Sequence, residues 1–161
     1  MIRLVVFVPC ERLIIGQDNL SSLINVLEHV QVPVDNRDIP ENAGVPFNWT
    51  VLALWHREIE MGEPVLYDVK FELVSPNGKA TISGNVNFVV SNEHLNFRNT
   101  FIFPVFPLTE PGIHKALLSY KRSDEEVWEQ VGEYPIQLIH NLIKTDENEN
   151  KVENEQPIKS V

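Results

Sequence analysis

The chain has 161 residues, 43% of them hydrophobic, which suffices for one domain with a real core. Its 23 Asp and Glu against 13 Lys and Arg leave a net charge of −10, and neutralising a phosphate backbone or an anionic bilayer takes clustered cations that this composition lacks. Neither nucleic-acid nor membrane binding is expected, no apolar run reaches the roughly 18 residues of a spanning helix, and one cysteine allows no internal disulfide, pointing to a reducing, cytoplasmic setting.

Residues 2–15 read as a strand, apolar on both faces until Pro9, where a bulge or bend is expected because proline cannot donate to a ladder. The apolar start MIRLVVFVPC is not expected to act as an export signal, since Arg3 is its sole charge and no small-residue cleavage pattern precedes Cys10. Residues 16–19 (GQDN) form a turn. The next segment, 21–32, fits two periods: Leu20, Leu23, Ile24 and Leu27 are spaced as in a helix, whereas Ile24, Val26, Val30 and Val32 alternate as in a strand. Its β-branched residues and Pro33 favour strand. A polar loop over 34–46 leads to a strand at 47–57, with Phe47, Trp49, Val51, Ala53 and Trp55 on one face and Leu52 and Leu54 on the other.

Residues 65–90 are the clearest hairpin. Val65, Tyr67, Val69, Phe71 and Leu73 are apolar at odd positions; Ala80, Ile82, Val86, Phe88 and Val90 are apolar at even ones. Facing residues of an antiparallel pair share a face, so paired numbers must have an odd sum. A four-residue loop at Ser75-Pro76-Asn77-Gly78 meets that condition, with 73 opposite 80 and Gly84 opposite Val69, leaving a gap for Trp49 or Phe103. Phe97, Phe101 and Phe103 mark a further strand that Pro104 and Pro107 end or confine to an edge. Strands at 113–122 and 127–139 follow, the latter with a possible bulge at Gly132, and the Asn- and Glu-rich end, 143–161, is too polar to offset its ordering entropy and is expected to be a disordered tail.

These elements predict an all-β domain over 1–142, an antiparallel β-sandwich of about eight strands, immunoglobulin-like or C2-like. The strand ending Cys10-Glu11, the Gly16 turn, the apolar segment before Pro33, the Ser75-Pro76-Asn77-Gly78 hairpin and Pro111-Gly112 opening a late strand resemble, over roughly 2–140, a family of small uncharacterised bacterial β-sandwich proteins classed as a domain of unknown function. The resemblance implies the fold and a bacterial or phage source, and it brings no activity or catalytic residues. Where similar sequences often place an aromatic two positions after the late Pro-Gly, this chain has His114.

Several residues bear chemistry. As a nucleophile Cys10 would need a His or a helix N-terminus to lower its pKa, and Glu11 next to it works against a thiolate, so it reads as a buried apolar residue. His56, Glu58 and Glu60 alternate and could ligate a divalent metal if the strand extends that far, although a solvated strand end explains them as well. Asp35, Asn36, Asp38 and Glu41, with Asp124, Glu125 and Glu126, are the acidic loops from which a calcium site would need about six to eight converging oxygens. Trp49 and Trp55 would stack sugars if exposed and fill the core if not. Leu52 and Leu54 give the strand a second apolar face, which needs a covering segment or marks a protein interface. No Gly-rich phosphate loop or G-x-S-x-G is present. The expectation is a non-catalytic binding or assembly module, without cofactor, acting through a protein partner or homo-oligomer; the alternative is a carbohydrate- or calcium-binding module.

Overall fold

The computed structural model describes residues 1–35, 39–40 and 43–143. Asn36, Asp38 and Glu41 of the acidic loop and residues 144–161, almost all of the expected tail, lie outside the described residues. The period-two patterning becomes nine strands, β1 (Ile2–Ile15), β2 (Ser21–Val26), β3 (His29–Val34), β4 (Gly44–Arg57), β5 (Val65–Val74), β6 (Ala80–Val90), β7 (Asn96–Pro107), β8 (Gly112–Arg122) and β9 (Glu129–Leu142). They form two sheets, ordered β2-β1-β4-β7 and β3-β9-β8-β5-β6. Among the described residues no helix is long and apolar enough to cross a membrane.

Alternation decides which faces meet. Trp49, Val51, Ala53 and Trp55 of β4 are fully buried against Tyr67, Val69, Phe71 and Leu73 of β5 and Ala116 and Leu118 of β8. Ring contacts tie the sheets together, Trp49 to Phe71 at 5.9 Å and Trp55 to Tyr120 at 5.4 Å. Each such side chain contributes on the order of 1.5–3 kcal/mol through its burial. Both indoles also place their N–H: Trp49 Nε1 donates to the Val105 carbonyl at 3.0 Å and Trp55 Nε1 to Asn99 Oδ1 at 2.7 Å.

The structure departs from the sequence expectation in five places. Segment 21–32 is not one strand but two, and they belong to different sheets. Asn25 adopts φ 51°, and Leu27 N–H donates to the Pro9 carbonyl, so the chain turns there and crosses to the second sheet. There β3 runs parallel to β9, which makes that sheet mixed where an antiparallel sandwich was expected. The irregularity of β1 against β4 falls between Leu4 and Val6, not at Pro9, which stays in register with Val51. Strand β4 begins at Gly44 and shifts register between Pro46 and Trp49.

The fifth departure is the hairpin. Its connection is three residues, Pro76, Asn77 and Gly78, closed by Ser75 N–H donating to the Lys79 carbonyl at 2.9 Å. Gly78 takes φ 85°, the left-handed conformation that ends a type I turn in such loops. An odd-length loop alone would put the apolar sets on opposite faces. A register shift restores them: Val74 faces Ala80 but Leu73 faces Ile82, so Thr81 is the extra residue, its Oγ1 donating to the Leu73 carbonyl at 3.0 Å. Gly84 consequently faces Phe71, not Val69. The gap above it is filled chiefly by Phe101, with Phe103 beside it. The bulge expected at Gly132 does occur, between Leu118 and Ser119 on the β8–β9 ladder.

Candidate functional site

The residues singled out from the sequence do not converge. Trp49 and Trp55 are wholly inside the core and present no ring face to a sugar. The acidic loops stand at opposite ends of the second sheet: Asp35 follows β3, which runs parallel to β9, while Asp124 precedes β9. The 14 residues of β9 separate them by about 40 Å at the usual rise per residue. Asp35 and Asp124 therefore cannot share a calcium ion, and Asp124 is instead spent on Arg122, whose Nε and Nη2 it accepts at 3.2 and 3.0 Å. Strand β4 ends at Arg57, so the alternation that would align His56 with Glu58 and Glu60 stops short. His56 Nδ1 lies 3.0 Å from Asn96 Oδ1, and Glu58 pairs with Arg3 at 3.5 Å. Among the described residues, no three His, Cys, Asp or Glu are grouped to hold a metal.

Leu52 is 4% exposed and Leu54 half-buried, although both point away from the core. Their cover comes from the chain itself. Arg98 of β7 faces Leu54 across the ladder and so shares its outer face. Its guanidinium donates to Ser21 Oγ at 2.7 Å and Asn19 Oδ1 at 2.8 Å, at the tip of the β1–β2 hairpin. In the sheet order β1 and β4 lie between β2 and β7. The hairpin must curl over the outer face to reach Arg98, and beneath it Cys10, Thr50 and Leu52 are buried. Burial pushes the Cys10 thiol above its ordinary pKa, keeping it protonated and unreactive.

The arm that covers this face is itself apolar outside. Ile14, Ile15, Leu20, Leu23, Ile24 and Val26 are all exposed, six large apolar side chains within 13 residues. The signal was present in the sequence as a segment apolar at both parities, which one covered strand face cannot absorb. Trp128, also not singled out from the sequence, is the partly exposed tryptophan, and its ring faces Lys70 Nζ and Lys121 Nζ at 5.4 and 5.5 Å.

A cleft of about 770 Å³ opens where β6 begins and β7 ends, lined among others by Ser75, Asn77, Ile82, Val105, Thr109 and Glu110. Its polar groups are already engaged in holding the loops: Asn77 N–H donates to Glu110 Oε1 at 2.9 Å, and Thr109 Oγ1 lies 2.7 Å from His114 Nε2. The Thr109–His114 pair has the elements of a hydroxyl and its base. His114, however, is fully buried, its other nitrogen facing only the Gly112 carbonyl at 3.4 Å, and desolvation lowers its pKa. Nδ1 faces a carbonyl, which only accepts, and so carries the hydrogen, leaving Nε2 of a neutral imidazole to accept from the Thr109 hydroxyl. The ring meets Phe106 edge to face at 6.1 Å.

No protein-family model matches the chain, and no curated protein matches it. Among solved structures, the N-terminal domain of PorA matches at 10% identity over 84% of this chain and 97% of that one, with a TM-score of 0.27, too low to carry an argument. What stands is an all-β architecture of two sheets.

Proposed function

We propose that the chain is a non-catalytic binding or assembly module that works through protein–protein contacts, with the β1–β2 arm as a contact surface. The observation that supports this is the arm's row of exposed side chains, Ile14, Ile15, Leu20, Leu23, Ile24 and Val26. Water-exposed apolar groups concentrated on one projecting element mark surfaces that bury themselves against another protein. The arm is tied to the sheet through Arg98, which presents it in one orientation and reduces the ordering cost of binding. A cytoplasmic setting and a bacterial source, both expectations from the sequence, belong to the same proposal.

The test compares the wild type with a Leu20→Ser, Ile24→Ser double variant. Both side chains are exposed, so the unfolding midpoint should hold while a protein captured by the wild type from native lysate is lost. Identical capture by both forms would remove the arm from the interface.

A further inference from the structure

Each sheet has two edges, and three of the four carry a recognised guard against strand addition. Strand β2 is six residues long and kinked by the positive φ of Asn25; β3 is also six residues and holds Pro33; β7 holds Pro104 and Pro107. Strand β6 differs from all of them. It runs for 11 residues, ATISGNVNFVV, with no proline and no charge, and its Thr81 bulge affects only its start.

The backbone groups at this edge can be assigned. Ser123 N–H donates to the Leu66 carbonyl, so Leu66 turns its main-chain groups toward β8. By the alternation of a strand, odd-numbered β5 residues turn theirs toward β6. These face even-numbered partners, Val69 opposite Val86 and Phe71 opposite Gly84. Ser83, Asn85, Asn87 and Val89 are left with N–H and C=O groups turned outward, and among the described residues none of these groups has a backbone partner.

Resting on the assembly role proposed above, we infer that β6 is a self-pairing edge: two copies join their β6 strands antiparallel about a two-fold axis at Val86, fusing two five-stranded sheets into one. In that register Asn85 meets Asn87 and Ser83 meets Val89, so all four outward residues enter the ladder. Backbone geometry selects a second copy as the occupant: antiparallel pairing about Val86 sets an outward N–H and C=O pair against an outward pair at each of the four positions. Two chains of net charge −10 repel where charged surfaces meet, and β6, which carries no charge, is a strip along which they can approach. The charges next to it on β5 are already paired, Lys70 with Glu72 at 2.9 Å and Asp68 with Lys121 at 3.7 Å. Ile82, Val86 and Phe88, half-buried at this edge, gain cover from the added strand. A two-fold axis closes the contact and leaves no growing end.

The test is the solution mass of the full chain by sedimentation equilibrium over a wide concentration range. Wild type should approach a dimer, and Asn85→Pro should stay monomeric with an unchanged unfolding midpoint, because the lost N–H is outside the β5 ladder. Should the proline variant fail to fold, Asn85→Lys with Asn87→Lys sets like charges opposite one another and should abolish the dimer by repulsion. A wild type that is monomeric throughout, or a dimer that survives both variants, overturns self-pairing. If arm substitutions still abolish capture of another protein in that case, the binding role stands without it. Conversely, a dimer dissolved by Asn85→Pro alongside unaltered capture by the arm variant supports the edge and refutes the arm.

Discussion

Replacing Gly84 tests the corrected hairpin register. A Cβ at this position would lie 3.1 Å from Phe101 Cδ1, 3.6 Å from its Cε1 and 3.8 Å from Phe103 Cζ. Gly84→Ala therefore asks the Phe101 ring to give by a few tenths of an ångström, and this strain is offset by about 0.4–1 kcal/mol from the reduced freedom of the unfolded chain. The expected net change is near zero. Gly84→Val adds two methyl groups beyond that Cβ, against rings already packed on Phe71 at 5.7 and 5.1 Å. Overfilling of this kind costs about 1–3 kcal/mol, a fall in melting temperature of about 4–12 °C for a domain of this size. Urea unfolding followed by tryptophan fluorescence reads it, because Trp49 is buried 4.7 Å from Phe103. Phe101→Leu in the Gly84→Val background should recover part of the loss, since the two sites touch. Equal midpoints for Ala and Val, or no recovery in the double variant, would refute the packing described here.

Three other outcomes follow from buried or bridging polar groups. Asn99→Ala leaves the buried Trp55 indole N–H without its acceptor and should cost about 1–3 kcal/mol in chemical denaturation. Arg98→Ala removes both side-chain bonds to the arm tip; hydrogen exchange should quicken across residues 11–26 while global stability changes by about 1 kcal/mol or less. His114 has its pKa lowered by burial, opposed by the Gly112 carbonyl and Glu110 and reinforced by His140. The folded state thus resists protonation that the unfolded state accepts below about 6.5, so the stability due to a neutral His114 is whole above that pH and is lost as pH falls beneath it. His114→Leu should flatten the slope of stability against pH in that window, as measured by denaturation at a series of pH values.

Much of the fold was legible because half-buried strands announce themselves by alternation. The bounds of β5 and β6 follow from parity to within a residue. Parity divides β4 into two apolar faces as well, but with both apolar it does not say which is core, and the structure puts Trp49 and Trp55 inside. Parity also hid the error in the hairpin. An even loop and an odd loop with one bulged residue leave the same side chains on the same face, and only the pairing of Leu73 with Ile82 separates them. Segment 21–32 read as one strand because the break at Leu27 replaces no apolar residue with a polar one; the turn depends on a positive φ at Asn25, which many sequences tolerate. Whether the acidic loops met was a question of topology, decided when β3 docked parallel to β9. The Thr109–His114 pair is five residues apart across a turn, a spacing with no periodic signature.

Covering an apolar sheet face moves the problem of exposure outward. Leu52 would have been a contact residue on a bare first sheet, but the curled arm buries it and offers Leu20, Leu23 and Ile24 to solvent in its place. The arm has too few residues for two apolar faces to be satisfied internally, since a two-stranded ribbon has no core of its own. One face is spent on the sheet. The other face stays in solvent, and under the proposed function it is the face that a partner covers. The guards on β2, β3 and β7 carry the same implication for the edges: with three edges protected by proline, brevity or a kink, the unguarded length of β6 is where strand addition can occur.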